Sequence, residues 1–201
     1  MLAINWKGYR FGAWIGQTLL AIATISALLQ GNWSNAIVLA LFLVAAIAFM
    51  VKDDRLPTLF DLLFALAAVL NAGGWVWNWF DTIGPYDEIV HGFTIFALTL
   101  ALSFVVYRPL MPVFRHHTLL YLVTIASFGV AIGGLWEICE WSAGKILSTQ
   151  VIISLDDTAI DLIMDTIGSV LAALLSLWVL PIWTDAHDEG KGSVDSLHCW
   201  R

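Results

Sequence analysis

The chain has 201 residues, of which 60% are hydrophobic and only 12% are charged, and its mean hydropathy is +0.83. This composition excludes an intrinsically disordered protein, a coiled coil and, with only two cysteines, a disulfide scaffold. Nine basic residues against 16 acidic residues give a net charge of −7, which argues against nucleic acid as a partner. The sequence therefore predicts a protein embedded in a lipid bilayer.

Six apolar stretches approach the length of about 20 residues that a helix needs to cross a membrane. In chain order they span about residues 11–29, 36–51, 58–80, 89–107, 119–141 and 159–183. Lipid cannot satisfy bare backbone groups, and these runs are longer than barrel strands, so we predict an all-α bundle of six transmembrane helices. Residues 1–183 form one transmembrane domain in this interpretation, and residues 184–201 form a polar cytoplasmic tail.

Basic residues set the predicted orientation, because lysine and arginine favour the cytoplasmic side of a membrane. Eight of the nine lie near the N-terminus, in the second and fourth breaks between helices, and in the tail. Lys145 alone lies on the other side. We therefore expect both termini in the cytoplasm. Tryptophans cluster near the predicted helix ends, as is typical of interfacial anchors; those near the outer ends are Trp33, Trp75, Trp77, Trp79, Trp136 and Trp141.

Cysteine labelling tests this orientation. In a variant without native cysteines, Thr82→Cys and Ser148→Cys should react with a membrane-impermeant thiol reagent added to intact cells, because both positions lie in predicted outer loops. Asp54→Cys should stay unlabelled, because it lies in a predicted cytoplasmic loop. Labelling of Asp54→Cys from outside would reverse the orientation.

Ionisable residues collect near the predicted outer ends of the fourth, fifth and sixth helices. Their spacing of three or four residues places them on one face of each helix. The set comprises Asp87, Glu88, His91, Glu137, Glu140, Asp157, Asp161 and Asp165. Asp61, at the opposite side, lies in the first turn of the third helix, where a carboxylate offsets the helix dipole.

Small residues continue the same faces of these helices. Gly133 precedes the acidic pair of the fifth helix, and Gly168 follows the last acid of the sixth. Rows of small residues mark close helix packing, so we expect the carboxylates to face the interior of the bundle. Asn71 and Asn78 of the third helix have a compatible spacing and are predicted to form a further wall.

A carboxylate inside a membrane costs about 2.5–3.5 kcal/mol at a helix centre and normally has a partner. On the predicted outer side, only His91 and Lys145 supply possible cations. The deeper acids therefore require protonation, a bound metal ion or a cationic substrate. Carboxylates with one imidazole suit a divalent ion such as magnesium, manganese, iron or zinc.

From this chemistry we predict a divalent-metal site. Its metal ligands are His91, Glu137 and Asp161. Glu140 or Asp165 is the predicted catalytic general base, which acts on a metal-bound water.

The sequence lacks the residues that several other membrane chemistries need. None of the six segments contains a lysine for a retinal Schiff base, and only His91 lies well inside a helix, which excludes haem held by two histidines. There is no P-loop for a nucleotide, no H-E-x-x-H and no G-x-S-x-G.

Three short motifs carry a resemblance to a known family. Tyr86-Asp87-x-x-x-His91, Glu137-x-x-Glu140-Trp141 and Asp157-Thr158-x-x-Asp161, followed by Gly168, resemble the YjdF-like family of bacterial multi-pass membrane proteins. They are also distantly similar to the VanZ-like membrane proteins, which are linked to glycopeptide-antibiotic resistance. The resemblance covers about residues 86–170.

The resemblance implies a location in the bacterial inner membrane, but it implies no reaction, because the YjdF-like family has no established activity. It points to the motif residues as the site, namely Asp87, His91, Glu137, Glu140, Trp141, Asp157, Asp161 and Gly168. Two positions depart from the family pattern: Glu88 replaces a basic residue, and Asp165 replaces a small or amide residue.

Three functions fit these residues. The first is a metal-dependent enzyme that acts on a lipid or lipid-linked envelope substrate. The second is a proton- or cation-coupled transporter, which ranks lower because the inner halves of the helices show little polar lining. The third is a structural or accessory subunit whose acids form hydrogen bonds between helices. The sequence leaves the substrate, the ion and the oligomeric state open.

Overall fold

The described chain is built from helices and short connections. The computed structural model describes residues 6–52, 56–114, 117–147 and 154–198. Its helices in chain order are α1 (Lys7–Leu29), α2 (Trp33–Lys52), α3 (Leu59–Trp77), α4 (Trp79–Thr82), α5 (Tyr86–Phe114), α6 (Thr118–Leu147) and α7 (Leu155–His198). All except the four-residue α4 are long and apolar enough to cross a membrane. The predicted all-α bundle with six transmembrane helices is confirmed.

Helix ends differ from the predicted ones where polar residues continue a helix beyond its apolar run. α5 begins at Tyr86 and α6 continues to Leu147, so the acids predicted near helix ends lie within helices. α7 runs to His198, through the segment predicted as a polar tail. A helix requires only backbone hydrogen bonds and tolerant side chains, so hydropathy alone does not mark its end. Residues 148–153 of the predicted outer loop lie outside the described residues.

α3 connects two groups of helices. On one side it packs with α1 and α2 around Leu20, Leu39 and Ala72. On the other side it contributes Phe60 and neighbouring side chains to a core shared with α5, α6 and α7, with Ile125 near its centre. Within the described ranges, neither α1 nor α2 contacts α5, α6 or α7. The position of the last three helices relative to the first two is therefore set through α3.

The chain turns sharply at the end of α3. Asn78 has a φ of 59°, in the left-handed region that asparagine adopts more readily than most residues. The turn brings the Phe80 ring against Gly74, where a β-carbon would collide with the ring. The Tyr86 hydroxyl then donates a hydrogen bond of 2.8 Å to the Leu70 carbonyl oxygen. These contacts fasten the start of α5 to the last turns of α3.

An ion pair joins α1 to α3 at the other side of the bundle. Arg10 Nε lies 2.9 Å from Asp61 Oδ2. Asp61 lies in the first turn of α3, as predicted, where it also offsets the helix dipole. Because the Arg10 side chain is about half exposed, the pair contributes at most about 1 kcal/mol to stability. Asp61 is thus a structural residue, remote from the other acids.

Candidate metal centre

Close packing of α5, α6 and α7 brings their polar side chains together. A β-carbon on Gly168 of α7 would collide with the carbonyl oxygen of Gly92 on α5, so the two backbones touch at this point. On α6, a β-carbon on Gly133 would collide with the carboxylate of Asp165. The glycines therefore create the space that the buried acid occupies. His91 immediately precedes the contact between the two backbones.

His91 has acidic neighbours at both ring nitrogens. Its Nε2 lies 3.7 Å from Asp87 Oδ1. Its Nδ1 lies 3.4 Å from Asp165 Oδ1 and 3.7 Å from Glu137 Oε1. His91, Glu137 and Asp165 are buried, with exposed fractions of 5%, 6% and 0%. The imidazole is thus the centre of a cluster to which α5, α6 and α7 each contribute at least one carboxylate.

Two groups within this cluster can hold a metal ion, because their ligand atoms all lie within 4.8 Å of one another. The first is Asp87, His91 and Asp161; the second is His91, Glu137 and Glu140. His91 belongs to both. The predicted ligands are thus brought together around His91, but Glu137 and Asp161 belong to different groups.

Buried carboxylate oxygens in the cluster have no hydrogen-bond partner among the described residues. They are both oxygens of Asp165 and Oε1 of Glu137. The contact of 3.4 Å between His91 and Asp165 is too long or too poorly aligned to count as a hydrogen bond. An uncompensated buried charge costs several kcal/mol. A divalent cation within the cluster, or protonation of the acids, would remove much of this cost, and the cluster could hold such an ion.

Trp136 belongs to the site, although the sequence predicted an interfacial anchor. Its indole Nε1 donates a hydrogen bond of 2.9 Å to Glu140 Oε1, one turn along α6. It also faces a cavity of about 10 Å³, room for about one water molecule. The cavity is lined by Asn71, His91, Thr94, Ile95 and Trp136. The i,i+4 spacing from Glu140 was the sequence signal that could have identified this tryptophan.

Asn71 of α3 lies close to the centre, as predicted. Its Nδ2 donates hydrogen bonds of 2.9 Å to Thr94 Oγ1 and to the carbonyl oxygen of Ala67. The amide is therefore held between α3 and α5. Asn78, predicted to extend the same wall, is instead exposed at the turn after Trp77, because the left-handed residue ends the helix there.

Four other predicted site residues lie outside both groups of possible ligands. Glu88 is half-buried, and its Oε2 has no hydrogen-bond partner in the described structure. Asp157 is half-buried in the first turn of α7. Trp141 is 57% exposed, as an interfacial anchor would be. Gly168 acts in helix packing, through its contact with α5.

A row of buried hydroxyl groups extends from the cluster toward the opposite ends of α5, α6 and α7. Its members are Thr99, Ser103, Tyr121, Ser169 and Ser176. The hydroxyl oxygens of Thr99 and Ser169 both lie where a β-carbon of Gly129 would be. Further along, the hydroxyls of Tyr121 and Ser176 are 2.9 Å apart.

Most of this row was not predicted from the sequence. Serines in helices commonly donate to their own backbone, as Ser103, Ser169 and Ser176 do here, and so attract little attention in a sequence. The available signal was spacing, because Thr99 and Ser103 follow His91 at multiples of four residues. The predicted scarcity of polar lining in the inner halves therefore needs correction.

Comparison with protein families identifies one match. The sequence model of a family described as "Predicted membrane protein (DUF2238)" matches residues 11–181, a range that overlaps all six membrane-spanning runs and includes the whole cluster. No curated protein and no solved structure matches the chain.

Proposed function

The chain belongs to this DUF2238 family of membrane proteins, and on that premise we propose that it is a divalent-metal-dependent enzyme acting on a lipid or lipid-linked envelope substrate. The observation that carries the proposal is the convergence of carboxylates on His91, with buried oxygens left unpartnered. A metal ion at such a site lowers the pKa of a bound water and provides a nucleophile near neutral pH. The resemblance to YjdF-like and VanZ-like proteins supports a bacterial inner-membrane location.

The residues of the cluster have different roles in the proposed reaction. His91 and neighbouring carboxylates bind the ion. Glu140 is the general base, because its carboxylate belongs to the second group, within 4.8 Å of a His91 ring nitrogen, and is oriented by the Trp136 indole.

The location of the cluster suits an amphipathic substrate. Asp87 is the second residue of α5 and Asp161 the seventh of α7, so these two carboxylates lie within about 10 Å of the starts of their helices. The Asp87 side chain is 22% exposed, which opens the cluster on that side. Leu135 and Ile138 on α6 are largely exposed, as lipid-facing residues are. A polar headgroup can therefore enter while its apolar chains stay in the bilayer.

Metal analysis of the purified full-length protein tests this function. Wild-type protein should retain a divalent ion, and His91→Asn should retain almost none, because His91 belongs to both ligand groups. Asp61→Asn is the matched control, since it removes an acid that is paired with Arg10 away from the cluster. Equal and negligible metal in all three proteins would overturn the proposal. If the wild type retains metal and His91→Asn does not, lipid profiling of a deletion strain would identify the substrate class.

The row of buried hydroxyls supports a second candidate function, proton-coupled transport. Hydroxyl groups can pass protons along a chain of hydrogen bonds, and this row lies between the cluster and the far half of the bundle. Within it Tyr121 and Ser176 are hydrogen-bonded, whereas the Thr99 hydroxyl has no partner among the described residues. Because the Ser176 hydroxyl donates to the Ala173 carbonyl oxygen, the Tyr121 hydroxyl is the donor to Ser176. This hydrogen bond would be one step of a proton route through the inner half of the bundle.

Proton flux into proteoliposomes tests the second candidate. Tyr121→Phe removes the donor to Ser176 and should slow the flux, and Glu140→Gln should abolish it. Thr166→Ala is the control, because Thr166 carries an exposed hydroxyl on α7 outside the row. A wild-type protein that moves no protons would eliminate transport and leave the enzyme as the better function.

A further inference from the structure

We propose that His91 binds the metal through Nε2, together with Asp87 and Asp161, and that Asp165 is a positioning residue that accepts a hydrogen bond from Nδ1–H. This inference rests on the proposed metal site. It decides which of the two groups around His91 supplies the ligands. It also gives a role to the most deeply buried acid of the cluster.

The ring nitrogens decide the ligand group. A metal-bound histidine uses one nitrogen as ligand and carries its proton on the other. On the Nδ1 side two carboxylates can accept that proton in a hydrogen bond, Asp165 at 3.4 Å and Glu137 at 3.7 Å. On the Nε2 side the ion-pair neighbour is Asp87, at 3.7 Å. A proton on Nδ1 is therefore better accommodated, which leaves Nε2 free for the metal beside Asp87.

Asp161 completes the ligand set. Its carboxylate forms a group with Asp87 and His91 in which every ligand atom lies within 4.8 Å of the others. Imidazole suits zinc and iron, and carboxylates suit manganese and also bind zinc, so two carboxylates with one imidazole fit an ion of this class. Asp161 is 3% exposed, whereas Asp87 is half-buried near the start of α5. The partly open side of the cluster is thus the side on which the metal and its water would lie.

Asp165 meets the requirements of a positioning residue. It is fully buried, both of its oxygens lack a hydrogen-bond partner, and its ion-pair neighbour in the described structure is His91. Gly133 provides the space for its carboxylate. A carboxylate that accepts the second N–H of a ligand histidine fixes the ring orientation and raises its basicity. A small rotation of the ring or carboxylate that aligns Nδ1–H with the Asp165 oxygen and shortens the 3.4 Å contact would form this bond.

Zinc titration of the full-length protein by calorimetry tests the ligand assignment. Asp87→Asn and Asp161→Asn should lose Zn²⁺ binding, because each removes a ligand. Glu140→Gln should retain it, although it removes the same unit of charge. If the glutamine variant loses Zn²⁺ while both asparagine variants keep it, the assignment is overturned and the metal site itself still stands. If the wild type binds no Zn²⁺ and no other divalent ion, the proposed function is wrong, and the ligand assignment that rests on it is wrong as well.

The positioning role has its own test. Asp165→Asn should weaken Zn²⁺ binding by about 10- to 100-fold, the usual cost of altering such a partner. Asp165→Leu should weaken it further, because leucine has no acceptor atom. A purely structural role would lower the metal-free melting temperature and leave Zn²⁺ affinity unchanged, and that outcome would overturn the proposal.

Nitrogen NMR of ¹⁵N-histidine-labelled protein gives a readout that does not depend on folding yield. The His91 signals are assigned by their loss in His91→Asn. In the zinc-bound wild type they should show a protonated Nδ1 and a metal-bound Nε2. A protonated Nε2 with metal on Nδ1 would contradict the inference directly.

Discussion

Gly168→Ala should destabilise the protein by about 3 kcal/mol, or prevent its folding. The backbones of α5 and α7 are in contact at this point and would have to move apart to make room for an added β-carbon. That carbon would collide with the Gly92 carbonyl oxygen and lie 3.2 Å from the Phe96 backbone nitrogen. Both atoms belong to the backbone of α5. The expected result is a large drop in melting temperature, or loss of the monodisperse peak in fluorescence-detected size-exclusion chromatography.

Gly134→Ala is the matched control for this substitution. Gly134 lies on α6, and no heavy atom outside its own helix lies within 4 Å of the position of an added β-carbon. Alanine is also a better helix former than glycine. The control should therefore have unchanged or slightly higher stability. If both variants melt like the wild type, α5 and α7 do not pack as closely as described.

Zinc should raise the melting temperature of the wild-type protein, and it should do so more at about pH 8 than at about pH 5. An ion present at 100 times its Kd stabilises the folded state by about 2.7 kcal/mol. Carboxylates and imidazole bind metals in their deprotonated forms, so protons compete for the ligands as the pH falls. The stabilisation is thus present at the higher pH and lost toward the lower one.

His91→Asn should abolish this effect of zinc at both pH values, because the substitution removes the ligand common to both groups. Its melting temperature should equal that of the wild type with a chelator to within a few degrees. A zinc-induced shift of equal size in wild type and variant would show that the ion binds elsewhere on the chain.

The sequence predicted the bundle and much of the cluster for simple physical reasons. The number of membrane-spanning helices follows from the apolar runs. Each run must be long enough to cross the membrane as a helix, because backbone groups without hydrogen bonds are too costly in lipid. The gathering of His91, Glu137, Asp161 and Asp165 follows from i,i+4 spacing and from glycines on the same faces. Both signals are local in the sequence.

The features that the sequence did not predict depend on how the helices are rotated and where they end. Spacing alone could not show that Glu137 and Asp161 would belong to different groups of ligands. Asn78 fell outside the predicted wall because a single left-handed residue ends α3. Trp136 was misinterpreted because an indole at a helix end suits both a membrane interface and a hydrogen bond to a carboxylate.

The two groups of helices joined by α3 are also separated in the order of synthesis. α1, α2 and α3 share a core, and all three precede α7 in the chain. Asp165 follows His91 by 74 residues in the sequence. At about 5–20 residues per second, the ribosome needs about 4–15 s to cover that distance. Throughout this interval α5 is present without α7, so the cluster around His91 cannot be complete until α7 has been synthesised.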